Sequence, residues 1–162
     1  MSLKIGFRIP SAIFYTKDEK GISAHDTVEY FAGRKIVVFA LPGAFTPTCT
    51  ARHLPTYLEK HDDLIGIGVD AIACLAVNDA HVMRAWALDQ DAVGKIDMLA
   101  DSTMAVSSAL GILVNMGDIL GNRATRSAFV VDDGVISHVF IEEVGMFEVS
   151  DAGTILAALK GA

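Results

Sequence analysis

An α/β fold with a central mixed β-sheet, covered by helices on both faces, is the architecture this sequence predicts. Three observations point to it. Short β-branched apolar runs at residues 36–41 and 71–77 are separated by about thirty residues that suit a crossover helix. Helix-like and strand-like segments keep alternating as far as Gly111. The pattern then changes to two β-rich runs on either side of an Asp-Gly pair, the signature of an antiparallel hairpin.

Taken in order, residues 11–30 are irregular, with a hairpin turn expected around Asp18-Glu19-Lys20-Gly21. Residues 36–41 read as a buried strand. Residues 48–64 follow as a helix closed by Gly66 and Gly68, and residues 71–77 form the next strand. A strand, a helix and a strand at this spacing make a right-handed unit with parallel strands. Asn78-Asp79 is the expected N-cap of a helix over residues 80–90, with Val82, Trp86 and Leu88 on its apolar side. Residues 96–100 form a short strand. Asp101-Ser102-Thr103 opens a helix that ends before Gly111. Residues 127–131 and 135–141 pair across Asp132-Asp133-Gly134. Residues 150–159 form the closing helix, with Ile155, Leu156 and Leu159 at helical spacing and Ser150 as its cap. There is no internal repeat, linker or low-complexity tract. A thioredoxin-like α/β fold is the natural member of this class, with residues 1–162 as one domain.

Composition narrows the function. The chain is 52% hydrophobic and 20% charged, which argues against disorder. Its net charge is −7 with no basic run, so nucleic acid and anionic membrane surfaces are poor partners. No apolar run is long enough to cross a bilayer. Met1-Ser2-Leu3-Lys4-Ile5-Gly6 lacks the apolar core of a signal peptide, so a cytoplasmic location is expected. The two cysteines, Cys49 and Cys74, form no C-x-x-C and no disulfide framework, and both are expected as free thiols. The histidines show no metal-ligand spacing, and no glycine-rich nucleotide loop is present, so neither metal nor cofactor is expected.

Cys49 is the chemically informative residue. It lies in Leu41-Pro42-Gly43-Ala44-Phe45-Thr46-Pro47-Thr48-Cys49, where the strand over 36–41 turns into a helix. Proline favours the first helical position, which puts Pro47 there, Thr46 at the N-cap and Cys49 third in the helix. A thiol in that first turn lies near free backbone N–H groups and the positive end of the dipole, a setting that lowers its pKa by about one to several units from ~8.5. The alternative is an inert core cysteine. His53 lies four residues on, so a Cys–His pair for acyl transfer is one reading and an ordinary surface or half-buried histidine the other. Pro55 should kink this helix by removing a hydrogen bond to its first turn.

Pro42-x-x-x-Thr46-x-x-Cys49 resembles the active-site signature of the peroxiredoxins. The fuller run to Cys49 with His53-Leu54-Pro55 is similar to the type-5 subfamily, which includes the plant type-II enzymes. Similar segments continue in order through Cys74-Leu75-Ala76-Val77-Asn78-Asp79, Val82-Met83, Ala85-Trp86, Leu99-Ala100-Asp101 and Gly121-Asn122-Arg123 to Arg126. The resemblance implies thiol-dependent reduction of hydrogen peroxide and organic hydroperoxides, in antioxidant defence and redox homeostasis. It implies that Cys49 is the peroxidatic thiolate and passes through a sulfenic acid. It implies that Thr46 contacts thiolate and peroxide, that Arg126 is the active-site arginine and that Pro42 shields the sulfur. Arg123 competes for the arginine role; its other reading is a surface charge beside a Gly-Asn turn.

The late resolving cysteine of animal type-5 enzymes would fall near Val149, and none is present there. Cys74 is then either an intramolecular resolving thiol or a buried strand residue. Geometry favours the second, because a disulfide needs Cα atoms within roughly 7 Å. Glutathione with glutaredoxin, or a thioredoxin, is the expected reductant. The resemblance also implies a homodimer formed around Gly43 to Phe45 and Asn78-Asp79. Two other classes stay open: a peroxide sensor or redox-regulated interaction protein using Cys49, and a cysteine hydrolase using Cys49 with His53.

Overall fold

The computed structural model describes residues 3–161, so Met1 and Ser2 of the N-terminal reading, and Ala162, lie outside the described residues. A seven-stranded sheet runs through the middle. Its strands, in chain order, are β1 (Ile13–Asp18), β2 (Gly21–Asp26), β3 (Lys35–Ala40), β4 (Ala71–Ala76), β5 (Asp97–Ala100), and later β8 (Ser127–Asp132) and β9 (Val135–Ile141). Their spatial order is β2-β1-β5-β4-β3-β8-β9. β3, β4 and β5 are parallel, and the strands on both flanks are antiparallel. This is the mixed sheet of the thioredoxin-like fold.

β3 lies inside the sheet, between β4 and β8, and is apolar from Ile36 onward, as a strand covered on both faces must be. Its side chains alternate between two cores. Val37 and Phe39 face Leu54, Tyr57, Trp86 and Ile155, on the side of α2 (Leu54–Gly66), α3 (Ala80–Asp89) and α6 (Ala152–Lys160). Ile36 and Val38 face Val106 and Leu110, on the side of α4 (Ala105–Ala109). Cys74 pairs with Phe39 in the β3–β4 register and shares the first core with Cys49.

Both hairpins fall at the turns the sequence marks. Asp18 Oδ1 accepts the N–H groups of Lys20 and Gly21 and so closes the β1–β2 turn. β8 runs one residue further than expected, to Asp132, which leaves Asp133-Gly134 as the loop. Both loop residues have positive φ, 47° and 81°, the type I′ geometry whose twist matches the strands.

Several boundaries differ from expectation for local reasons. The closing helix is capped by Asp151, which accepts the Thr154 N–H; Ser150 is instead buried and bound elsewhere. The helix expected from Asp101 begins at Ala105, because Met104 takes a left-handed conformation and Asp101 reaches forward to accept the N–H groups of Val106 and Ser107. α1 (Thr27–Phe31), capped by Asp26, is an element the sequence reading does not contain. Nor does it contain the excursion of β6 (Leu113–Asn115), α5 (Gly117–Leu120) and β7 (Asn122–Ala124), whose pieces are too short to carry a periodicity.

Where a kink is expected at Pro55, the helix changes its winding. The turn before it, Cys49–His53, is a π-helical turn in which the Leu54 N–H bonds to the Cys49 carbonyl. Proline has no N–H, and its ring clashes with the carbonyl four residues back. Widening the preceding turn by one residue accommodates both faults.

Candidate active site

The site begins where β3 ends. Residues 42–46 form a loop held from two sides. Arg123 Nη1 donates to the Pro42 and Val77 carbonyls, at 3.2 and 3.3 Å, and its Nε donates to the Leu120 carbonyl. The Ala44 N–H donates to Asn78 Oδ1 at 2.9 Å. Arg123 is therefore a half-buried clamp and not a surface charge beside a turn. It leaves no room at Gly43, where a Cβ would meet Arg123 Nη1 at 2.6 Å. Phe45 takes a left-handed conformation, φ 63°, and stays 53% exposed.

Pro47 is the first helical residue, as its spacing predicts, with Thr46 at the cap position. The Thr50 N–H closes the first turn on the Thr46 carbonyl at 3.0 Å. The Thr46 hydroxyl, however, caps no helix amide. It donates to the Gly43 carbonyl at 2.7 Å, which pins the loop and leaves the oxygen lone pairs as acceptors. Trp86 Nε1 donates to Thr50 Oγ1 at 3.1 Å and anchors the same turn to α3.

Cys49 is fully buried, and its sulfur accepts a hydrogen bond from Arg126 Nη2 at 3.2 Å. The other arm of the same guanidinium, Nη1, donates to His53 Nδ1 at 2.9 Å.

His53 does not pair with Cys49, although the two are four residues apart. Its Nε2 faces the Ser150 carbonyl at 3.0 Å, and a carbonyl only accepts, so the proton is on Nε2 and Nδ1 is a lone pair. Burial, with the Arg126 charge beside it, pulls the ring down to about 3. A neutral ring with both nitrogens engaged is no general base for Cys49, which removes the basis of the cysteine-hydrolase reading.

Cys74 is also fully buried, and burial, reinforced by proximity to Cys49, pushes its thiol up. It is held in β4, opposite Phe39 of β3. Val149 lies in the loop after β9, where its N–H is held by Glu142.

A cavity of about 480 Å³ opens beside Arg126. Pro42, Val114, Met116, Val144 and Met146 give it an apolar wall, and Thr48, Asn115, Thr125, Arg126, Glu142 and Glu143 a polar one. The Phe147 ring lies 5.0 Å from the His53 ring and 6.0 Å from the Arg126 guanidinium carbon. Of the residues singled out from the sequence, Cys49, His53 and Arg126 are joined by hydrogen bonds, Pro42 and Arg126 line one cavity, and Thr46 bonds within its own loop. Glu142, Phe147 and Ser150 also reach this region, and no motif marks them.

Comparison with known proteins shows the family. The sequence model of the family described as Redoxin matches residues 4–156. The chain is 41% identical to Peroxiredoxin-2E-2, chloroplastic, of Oryza sativa subsp. japonica, over 98% of this chain and 73% of that one. It is 40% identical to Peroxiredoxin sll1621 of Synechocystis sp., over 96% of this chain and 90% of that one. Among solved structures, reduced Prx3 of Vibrio vulnificus in complex with H2O2 superposes with a TM-score of 0.93 at 44% identity, covering 96% of this chain and 98% of that one.

Proposed function

Because the chain belongs to the redoxin family, as a peroxiredoxin similar to the plant type-II enzymes, and is a thiol peroxidase, we propose that Cys49 is its peroxidatic nucleophile, served by Arg126, Thr46 and Pro42. The observation that carries this reading is the hydrogen bond from Arg126 Nη2 to Cys49 Sγ at 3.2 Å.

The Cys49 thiolate attacks the proximal oxygen of the hydroperoxide. A sulfur–oxygen bond forms as the O–O bond breaks, and the sulfur loses the two electrons that the peroxide gains. The products are the Cys49 sulfenic acid and an alkoxide or hydroxide, which takes up from solvent the proton lost when the thiol ionised. Negative charge moves onto the leaving oxygen as the O–O bond lengthens, so a rigid cationic donor stabilises the transition state more than the ground state. Arg126 supplies that donor, and its charge is not shared with any carboxylate among the described residues. Thr46 Oγ1, its proton committed to Gly43, accepts the hydroperoxide O–H and so orients the bond to be broken. Pro42 walls the sulfur from bulk water. The peroxide bound in the Vibrio vulnificus relative supports hydrogen peroxide as a substrate, and the apolar wall of the cavity suits the tail of an organic hydroperoxide.

Regeneration falls to an external thiol. The buried, protonated Cys74 is a poor attacking group. A first reductant thiol displaces water from the sulfenic acid to give a mixed disulfide, and a second releases the Cys49 thiol. Glutathione with glutaredoxin is the proposed pair, with thioredoxin the competing donor. A second copy of the chain is the proposed cover of the exposed Phe45.

The test is peroxide-dependent thiol consumption by the wild type, Cys49→Ser and Cys74→Ser, with glutathione and glutaredoxin or with thioredoxin. Turnover that vanishes in Cys49→Ser and persists in Cys74→Ser supports the proposal. Turnover in Cys49→Ser overturns it, and a single oxidation with no thiol-driven recycling favours a sensor.

A further inference from the structure

Arg126 has to present one guanidinium edge to a sulfur, yet among the described residues no carboxylate orients it. Its orienting partner is the Nδ1 lone pair of neutral His53. That lone pair exists only because the proton is held on Nε2 by the Ser150 carbonyl, which also accepts from Tyr57 Oη at 2.7 Å. The position of one peptide carbonyl, in a loop, therefore sets the aim of the arginine.

What holds that loop is Glu142. It follows β9, and its N–H donates to the Arg126 carbonyl at 3.0 Å, so its backbone is in register with Arg126 itself. The residue is only 5% exposed and has no cationic partner among the described residues. The carboxylate instead accepts the successive N–H groups of Glu148, Val149 and Ser150 and the Ser150 hydroxyl, at 2.7 to 2.9 Å. Burial works to raise this carboxyl, and those hydrogen bonds more than offset it, leaving it below the usual carboxylate range. A desolvated, unpaired carboxylate is costly, and here its whole hydrogen-bonding capacity goes into one three-residue segment.

Resting on the proposed roles of Cys49 and Arg126, we infer that Glu142 is a positioning residue for the peroxidase reaction: it sets residues 148–150 so that the Ser150 carbonyl fixes His53 and, through His53, aims the Arg126 guanidinium at Cys49 Sγ. The arrangement has a chemical advantage. A carboxylate placed directly on Arg126 would neutralise part of the charge that the leaving oxygen needs. Moving the anion out beyond a neutral imidazole keeps the orientation and spares the charge. The same grip fixes Phe147 over His53 and Arg126.

The test is Glu142→Gln, which keeps the shape and removes the charge and one strong acceptor. Two rates are measured in single turnover on the reduced protein: oxidation by hydrogen peroxide, and alkylation by iodoacetamide, a neutral electrophile whose reaction needs no stabilised leaving oxygen of a peroxide. The expected result is a loss on the order of 10- to 100-fold in the peroxide rate. Measured at a pH high enough to ionise Cys49 in both proteins, alkylation should slow by less than about 3-fold, because an ionised sulfur meets a neutral electrophile without an aimed guanidinium. In an Arg126→Ala background Glu142→Gln should cost nothing further, because a group acting through Arg126 is silent without it. An unchanged peroxide rate, equal losses in both reactions, or additive losses in the double variant overturns the inference. Should Glu142→Gln not fold, Ser150→Ala removes one donor to the carboxylate, and the same pattern of smaller losses is required of it. If instead Arg126→Ala reacts like the wild type, or Cys49→Ser turns over, the proposed roles of those residues fail first and by a different result.

Discussion

One guanidinium joins Cys49 and His53: Arg126 donates to the sulfur at 3.2 Å and to the ring nitrogen at 2.9 Å. The two bonds use different terminal nitrogens, so a single planar group ties Cys49 to a buried histidine.

Lysine cannot reproduce this. Its ammonium is a point charge without the planar fork, so it can reach the sulfur or the ring without fixing both. Arg126→Lys and Arg126→Ala should each lower the second-order rate with hydrogen peroxide, the alanine variant by about 10²-fold or more. The single tryptophan, Trp86, bonded to the turn that carries Cys49, provides the signal for stopped-flow fluorescence. A lysine variant as fast as wild type would show that charge alone suffices.

The buried His53 makes the fold acid-sensitive. Its folded value lies at about 3, below the ordinary value of 6.5, so between those limits the unfolded chain binds a proton that the folded chain refuses. Stability is then complete above about 6.5 and falls as pH drops, by about 1.4 kcal/mol per pH unit while the difference lasts. Glu142, held low in the folded state, acts in the same direction as pH falls further. Urea unfolding at pH 7 and pH 5 measures the slope. His53→Gln should flatten it, and an equally steep slope in that variant assigns the effect elsewhere.

Gly43 should tolerate no side chain. An added Cβ would lie 2.6 Å from Arg123 Nη1 and 3.3 Å from Asn78 Oδ1, the two groups that clamp the loop. Gly43→Ala should cost about 1–3 kcal/mol in unfolding free energy by overpacking and slow the peroxide reaction as the Pro42 carbonyl moves. Crystallography of the variant checks the mechanism, with a displaced Arg123 side chain as the expected difference.

Cys74→Ser should keep glutaredoxin-linked turnover and lose stability, by about 1–3 kcal/mol, because a hydroxyl replaces a thiol in an apolar core. Mass spectrometry of the peroxide-treated wild type gives a second check. A Cys49–Cys74 disulfide as the main product, together with lost turnover in the variant, would falsify the external-thiol proposal.

Much of this was legible in the chain. The apolar runs at β3 and β4, the Asp-Gly turn before β9 and the Pro47 helix start each rest on local chemistry, and each lies within a residue or so of its expected place. The short β6–α5–β7 excursion was not, because three- and four-residue elements show no period and depend on tertiary contacts. At the site, Thr46 stood at the cap position as expected, but its hydroxyl found the Gly43 carbonyl, a partner only the folded loop supplies.

The sequence by itself determined the strand-to-helix setting of Cys49, through local chemistry at Pro47, and, through its resemblance to the peroxiredoxins, the thioredoxin-like class and the family. Only the tertiary structure decided what His53 does. It stands 4 positions from Cys49, where spacing suggests a pair, yet its ring is claimed by Arg126 and Ser150, 73 and 97 positions away. Hydrogen-bond partners that distant are chosen by where the sheet places β8 and the loop after β9. A buried imidazole takes whichever donor and acceptor the fold brings to it, because leaving either nitrogen unpaired costs about as much as the bond itself is worth.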